Sequence, residues 1–585
     1  MNRIVKSFFI LICGLLGVVG CKDIDLESFN PTAGTISFAS ASLDAPNTLD
    51  TLWIDLNSNL PFRLKTDASW ISFVKPNGLS SEKVGIITAR NRDLAERIGK
   101  VVAYVTDEVR AEIQIKQSAG DPLPDVTRHF YVRIDGQPAA DGLSWANATS
   151  LHKALEEAVN GDYIHVAAGV YIPTKALTGG TSVQDATFEI AENVRIIGGY
   201  PAQATNGSLA VPSLHKTEFN GNNKSIHVVT VIASKAQGQQ VELNGITITK
   251  GMAGGTGSVN ASGTVVSKQH GGGLFVAKAK VLLKNVSVID NGSANHAPGI
   301  YITSLADVTM DHVSVKNNYT TIAASNGGGI WNDGSRLVMY DSEIVGNRIG
   351  GVGAGLYSLN TAVESVNILY NVTIAKNTCG IFGNNAVGGG IYAREKSLFY
   401  VVNSTIYGNK AGGASFGGGI ALFGATTFHL ISSTVSGNEA GTTATAAGGV
   451  GIHNASANNN NLHIYNSMVS GNMGGSWPDM GGSAYANYSV KSSILGTQVL
   501  DFDGKPTSIQ FDPKTSFATL GLNGGFAETF PLKGTSAATT EGLSALQLEI
   551  LANNLQALES KKLLIDQNNV SRTNKKVMGA DVSIK

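Results

Sequence analysis

The sequence predicts an all-β chain, a small β domain followed by a right-handed parallel β-helix, and three observations predict it. A glycine-rich word recurs: Gly271-Gly272-Gly273-Leu274-Phe275, Pro298-Gly299-Ile300-Tyr301, Gly327-Gly328-Gly329-Ile330-Trp331, Gly353-Ala354-Gly355-Leu356-Tyr357, Gly388-Gly389-Gly390-Ile391-Tyr392, Gly417-Gly418-Gly419-Ile420-Ala421 and Gly449-Val450-Gly451-Ile452-His453. Its step of roughly 26 to 35 residues is the range in which repeats build solenoids. A second word starts at Asn285, His312, Asp341, Asn371, Asn403, Ser432 and Asn466. It always ends, at the same spacing, on Asn291, Asn318, Asn347, Asn377, Asn409, Asn438 and Asn472. Between these ends the chain alternates: Val286/Val288, Val372/Ile374 and Ser433/Val435 on one face, and Ser287, Glu343, Thr373, Thr405, Thr434 and Met468 on the other. Period two means strand. The closing Asn is expected to turn the chain in left-handed geometry and, stacked coil on coil, to form a hydrogen-bonded ladder. Third, 69 glycines beside 42% hydrophobic residues fit turn-rich β structure rather than disorder.

In chain order, residues 1–20 read as a leader: Arg3 and Lys6 precede an apolar run, Phe8 to Val19, that is short for a membrane span. It ends Leu16-Gly17-Val18-Val19-Gly20-Cys21, which resembles a bacterial lipobox. The resemblance implies lipidation of Cys21 and an outer-membrane lipid anchor. The tether, 21–30, carries Lys22, Asp23, Asp25 and Glu27. It is similar to the acidic export signal of Bacteroidetes surface lipoproteins, which implies a cell-surface location.

Residues 31–120 read as the small β domain, with strand-like runs Thr35–Phe38, Leu52–Leu56, Val84–Ala89, Lys100–Thr106 and Ala111–Lys116 and a turn at Pro76-Asn77-Gly78. Trp70-Ile71 after Asp67, Arg97-Ile98-Gly99-Lys100 and the closing Ile113-Gln114-Ile115-Lys116-Gln117 resemble the BACON domain. That resemblance implies an immunoglobulin-like β-sandwich, with either a carbohydrate-binding or a spacer role. Trp70 is expected in the core rather than as a ligand platform. Residues 121–127 are a linker by composition.

The β-helix is expected over 128–585. Ser150 caps a short helix with Leu151, Ala154, Leu155 and Ala158 on one face, followed by Gly161 to Tyr171. This stretch resembles the entry coil of pectate-lyase-like β-helix proteins, in which a helix plugs the open end. Val194–Tyr200 and Val228–Ile232 read as looser coils, and regular coils run from about Val241 to Ile494. Leucines 543, 546, 551, 555 and 558 predict a helix between Glu541 and Ser560 packed on the last coils. Asp566-Gln567, Ser571-Arg572 and Met578-Gly579-Ala580-Asp581 are similar to a closing motif of secreted β-helix proteins, which implies a structural role.

A net charge of −1 points away from nucleic acid. Three cysteines build neither a disulfide framework nor a zinc site, and no cofactor is expected. If Ile330 and its equivalents point inward, the next residues, Phe275, Tyr301, Trp331, Tyr357 and Tyr392, form an outward column. Such a strip suits the apolar faces of sugars. The leading expectation is therefore a polysaccharide or host glycan bound along the flank. The competing reading is that aromatics simply suit strands, or that a loop over 254–269 covers them. A second outward column contains Tyr340, Tyr370 and Tyr465.

The alternative is a polysaccharide lyase or glycoside hydrolase, since the pectate-lyase and polygalacturonase families share the fold. Its candidate residues are Asp333, Arg394, Glu395 and Glu343, and lyase chemistry would bring in Ca2+. His270 is a weaker candidate. The repeats also resemble those of chlamydial polymorphic outer-membrane proteins, which implies an adhesin as a further alternative; no β-barrel transporter domain is evident here.

Overall fold

The computed structural model describes residues 33–47, 50–89, 91, 95–120, 127–235, 239–413, 415–441, 449–455, 460–475, 477–482, 488–501, 503–518, 520–523, 525–533, 536–573 and 575–581. Cys21, the leader and the tether lie outside them. The chain divides into two compact units, residues 1–121 and 122–585.

In the first unit, a four-stranded antiparallel sheet (Ile36–Phe38, Asp50–Ser58, Ile71–Phe73, Glu82–Thr88) and a five-stranded sheet (Ser42–Ala45, Phe62–Thr66, Asn77–Gly78, Arg97–Tyr104, Arg110–Gln117) make a sandwich. The alternation in these strands places Ile54, Leu56, Val84 and Ile86 from one sheet in a core with Leu64, Val101, Ala103, Ile113 and Ile115 from the other. Trp70 packs at the margin of that core with the Arg97 guanidinium 4.4 Å above its ring. Trp53, on the outer face, is 55% exposed and pairs across to Gly85.

The second unit is a parallel β-solenoid with three long sheets. Sheet one runs from His129–Val132 to Tyr488–Lys491, sheet two from Gly169–Tyr171 onward and sheet three from Phe188–Ile190 to Met480–Gly481. Each coil stacks in register on the next: Leu274, Ile300, Ile330, Leu356, Ile391, Ile420 and Ile452 are successive partners and fully buried. The helix Leu151–Glu157, with Ser150 Oγ accepting from the Lys153 amide at 3.3 Å, buries Leu151 and Ala154 against the first coils.

The asparagine ladder forms. Asn291 Nδ2 donates to Asn318 Oδ1 at 3.0 Å, and the same bond repeats at 2.9 Å from Asn318 to Asn347, Asn347 to Asn377, Asn377 to Asn409 and Asn409 to Asn438. It continues to Asn472 at 2.8 Å and ends on the Asp479 carboxylate at 2.9 Å. An amide can pass the chain on because it both donates and accepts; a carboxylate only accepts.

The left-handed geometry expected of these asparagines belongs to other residues. It falls on the residue just before each, for example Asp290 (φ 55°), Asn317 (φ 55°) and Gly346 (φ 69°), and on the first position of the word, from Asn285 (φ 51°) to Asn466 (φ 51°). The two words also interlock. A Cβ on the third glycine of the first word would meet the ladder amide: Gly329 against Asn347 Nδ2 at 2.9 Å, and Gly390 against Asn409 Nδ2 at 3.0 Å.

The C-terminal segment folds back over the outside. The helix Ala545–Leu555, capped by Ser544, brings Leu548 and Ala552 into one cluster with Val338, Ile368, Tyr370, Tyr400, Val402 and Ile431, and just before it the Leu543 amide donates to Asn466 Oδ1 at 2.8 Å, so the segment packs on middle coils as well as later ones. This covers much of the second outward column. Gln567 Nε2 donates to Thr373 Oγ1 at 2.7 Å, Thr405 Oγ1 donates to Gln567 Oε1 at 2.7 Å, and the Ala580 amide donates to Thr434 Oγ1 at 3.1 Å. Arg572, 1% exposed, holds the closure by donating to the carbonyls of Ile565, Val577 and Gly579.

Candidate functional site

The expected aromatic column is present as a row but not as an open platform. Phe275, Tyr301, Trp331, Tyr357 and Tyr392 are successive partners on sheet three, with ring centroids 4.8 to 5.5 Å apart. Their exposures are 0%, 8%, 9%, 1% and 6%. The strip expected from outward alternation is therefore corrected. The rings pack on one another in tilted, edge-to-face and stacked pairs, and Leu177, Val259 and Val266 belong to the same buried cluster, the last two from the hairpin Ser258–Ser267. In three copies, at Gly327, Gly353 and Gly388, the first glycine makes room for this packing: a Cβ on Gly388, at φ 71°, would lie 2.5 Å from the Tyr392 Cβ.

The candidate catalytic residues separate. Asp333 accepts from Tyr301 Oη at 2.6 Å and from Asn360 Nδ2 at 2.8 Å. Burial, then the Asp333 charge, pushes the Tyr301 phenol well above its ordinary range. Arg394 donates to the adjacent Glu395 at 3.3 Å and lies one intervening coil from Asp333. Glu343 is on sheet two, bonded to Ser314 Oγ at 2.7 Å, and does not join the others. His270 stacks on Tyr301 at 4.5 Å, and burial, then His296 and His227, lowers it to about 3. The Cys379 thiol is buried and pushed up to about 12 by desolvation. Asp311, His312 and Asp341 bring ligand atoms within 4.8 Å of one another at a turn, but His312 Nδ1 is already 2.6 Å from an Asp311 oxygen.

A site with open volume lies at the first coils of the solenoid. A cavity of about 400 Å³ is lined by His129, Tyr131, Trp145, His165, Tyr200 and the loop residues Leu143, Ser144 and Asn206–Ser208. Its walls follow from strand alternation. On the first strand, Phe130 and Val132 point into the core, leaving His129 and Tyr131 outside; on the next, Ile164 and Val166 point in and Tyr163 and His165 out. Register pairs Tyr131 with His165, and their rings stack at 5.0 Å; His129 stacks on His165 at 5.1 Å and on Tyr163 at 4.8 Å.

The third wall needs an irregularity. Pairing between the second and third strands shifts after His165, so that Ala167 partners Tyr200, with Gly199 at φ 90° inside the shift. This bulge aims Tyr200 at His165. Trp145 comes from the turn after Gly142 and wedges between Tyr131 at 4.9 Å and Tyr200 at 5.2 Å, over Ala167 and Ala204.

A hydrogen-bonded chain crosses these walls: His129 Nδ1 lies 2.8 Å from His165 Nε2, and His165 Nδ1 lies 2.8 Å from Tyr200 Oη. Desolvation, then the charge of His129, lowers His165 to about 4, so it is neutral at pH 7. The sequence shows His165 as part of an entry coil and Tyr200 as part of a looser one, and singles out neither of them, nor Tyr131 or Trp145, as a site residue. No repeat marks them, and their convergence depends on the bulge and the turn.

No protein-family model matches the chain, and no curated protein matches it. Three solved structures do. A pectate lyase, Pel9A, has 13% identity over 63% of this chain and 80% of that one, TM-score 0.37. A rhamnogalacturonan lyase has 13% identity over 68% and 92%, TM-score 0.35. A Bacteroides ovatus GH5 xyloglucanase solved with a XXXG heptasaccharide has 17% identity over 29% and 37%, TM-score 0.15. At these scores none of them transfers an activity or a site to this chain.

Proposed function

We propose that this chain is a cell-surface lipoprotein that binds a polysaccharide or host glycan, and that it does so in the cavity of the first coils. The observation that carries the reading is the cavity itself: aromatic walls from Tyr131, Trp145 and Tyr200, with a hydrogen-bonding chain that runs from Tyr200 through His165 to His129. Apolar sugar faces stack on such rings while hydroxyls bond their polar edges. The lipobox-like ending at Cys21 supports an outer-membrane anchor, and the BACON-like residues support reading the sandwich as an accessory module between anchor and solenoid in the chain.

Retention of the full chain on a glycan array and on insoluble polysaccharides tests the binding. Tyr131→Ala is expected to abolish retention and Arg394→Ala to leave it intact. Loss with Arg394→Ala and not with Tyr131→Ala would transfer the site to sheet three and revive the lyase or hydrolase reading, in which Asp333, Arg394 and Glu395 act. Cys21→Ser is expected to move the protein from the membrane to the soluble fraction.

A further inference from the structure

We infer that the cavity of the first coils selects a neutral, hydroxyl-rich ligand, a non-acidic pyranose unit, over a uronate. The inference rests on the reading of this cavity as a glycan site and names the sugar class it takes.

The first argument is charge. Among the described residues, no Lys, Arg, Asp or Glu lines the cavity. The nearby cations are occupied: Arg133 with Asp135 and Gln203, Arg128 with Asp162, and Arg195 with Tyr163. A carboxylate entering here would be desolvated with no fixed cation to offset the loss.

The second is the polarity of the hydrogen-bonded chain. His165 is bonded through both ring nitrogens, and a neutral imidazole has one donor and one acceptor. Only two arrangements satisfy both bonds. In one, Tyr200 donates to His165 and His165 donates to His129, which leaves His129 Nε2–H as a free donor and Tyr200 Oη as a free acceptor. In the other, every bond is reversed, which leaves His129 Nε2 as acceptor and Tyr200 O–H as donor. Either way the chain ends on one donor and one acceptor, and the two can exchange. Hydroxyl groups, which both donate and accept, match both ends; a carboxylate, which only accepts, matches one.

The third is size. A volume of about 400 Å³ sits near the low end of ligand cavities, roughly 300 to 1,000 Å³. It suits one or two sugar rings, a chain end or branch, rather than a polymer threaded along a groove.

The test is calorimetric titration of the full chain with neutral fragments (xyloglucan, galactan and mannan oligosaccharides) and acidic ones (oligogalacturonates and glucuronate-containing disaccharides), each repeated with Tyr200→Phe and Tyr131→Ala. Circular dichroism and melting verify that the variants are folded. At least one neutral fragment is expected to bind at least tenfold more tightly than any acidic one. Tyr200→Phe, which removes one end of the chain and keeps the ring, is expected to weaken it at least fivefold. Equal or tighter binding of an acidic fragment, reduced by Tyr131→Ala, would overturn the neutral selection while leaving the glycan reading standing. Neutral binding untouched by both substitutions, or no binding in either class, would overturn the inference together with the reading beneath it.

Discussion

The sandwich and the solenoid handle buried polar groups in opposite ways. In the sandwich a buried polar group has its own arrangement: Gln117 donates to the carbonyls of Pro46 and Ala89 while accepting from Arg97. In the solenoid one arrangement is copied from coil to coil, because an asparagine translated along the axis meets its own copy as partner. Repetition thus lets an interior hold polar side chains at little desolvation cost, but it makes every member depend on its neighbours. The difference extends to titration. All 11 histidines lie beyond residue 128, so none is in the sandwich.

That last difference gives the largest expected effect. Burial, the leading cause for each, lowers His152, His165, His227, His429 and His453 to about 4 from an ordinary 6.5. Folding then favours their neutral forms. The stability they contribute is complete above pH 6.5 and is lost as pH falls from 6.5 towards 4, on the order of 1 kcal/mol or more for each. Melting followed across this window is expected to lower the solenoid transition progressively. A sandwich transition that fell in parallel would break the comparison.

Next in size is a cut in the ladder. Asn377→Ala removes donors to Asn409 Oδ1 and the Ile344 carbonyl and orphans the Asn347 amide. It is expected to cost the solenoid about 3 kcal/mol or more in chemical denaturation. The sandwich midpoint should not move.

A smaller loss is expected from Gly390→Ala, whose Cβ would fall 2.5 Å from the Gly419 carbonyl oxygen and 3.0 Å from Asn409 Nδ2. About 1 to 3 kcal/mol is expected, with faster hydrogen exchange in the flanking coils. Unchanged exchange there would mean that the two words do not depend on each other.

The smallest effect sharpens the contrast from the sandwich side. Trp53 is 55% exposed, whereas its solenoid counterpart Trp331 is 9% exposed. Trp53→Ala is expected to cost under about 1 kcal/mol, the scale of a cross-strand pair. A larger loss in thermal melting would show that this ring supports the fold.

Much of the fold was legible in single residues. The closing Asn of the second word marked the ladder, the isoleucine after the glycines marked the core, and Ser150 marked the capping helix. One finer expectation failed for a local reason, and another held only in part. The left-handed turn falls on the residue before each ladder Asn, where Asp, Asn, Lys or Gly does equally well and leaves no constant letter. The C-terminal helix lies on middle coils as well as the later ones because the segment runs back along the solenoid. The candidate site was far less legible. Alternation correctly set Phe275 to Tyr392 on the outer side of sheet three, yet outward is not the same as exposed once rings stack on rings.

The sequence by itself determined the axis, the register and the interior of the solenoid. Those features are translations of one short pattern, and each coil needs only its neighbour to be correct. The tertiary structure alone decided which outward surface stayed open. The hairpin Ser258–Ser267 closed one flank, the segment beyond Leu500 closed another, and a bulge at Gly199 gathered Tyr200, His165 and Trp145 around a cavity. Such contacts join stretches that share no repeat and follow from side-chain packing between distant elements, which periodicity does not encode.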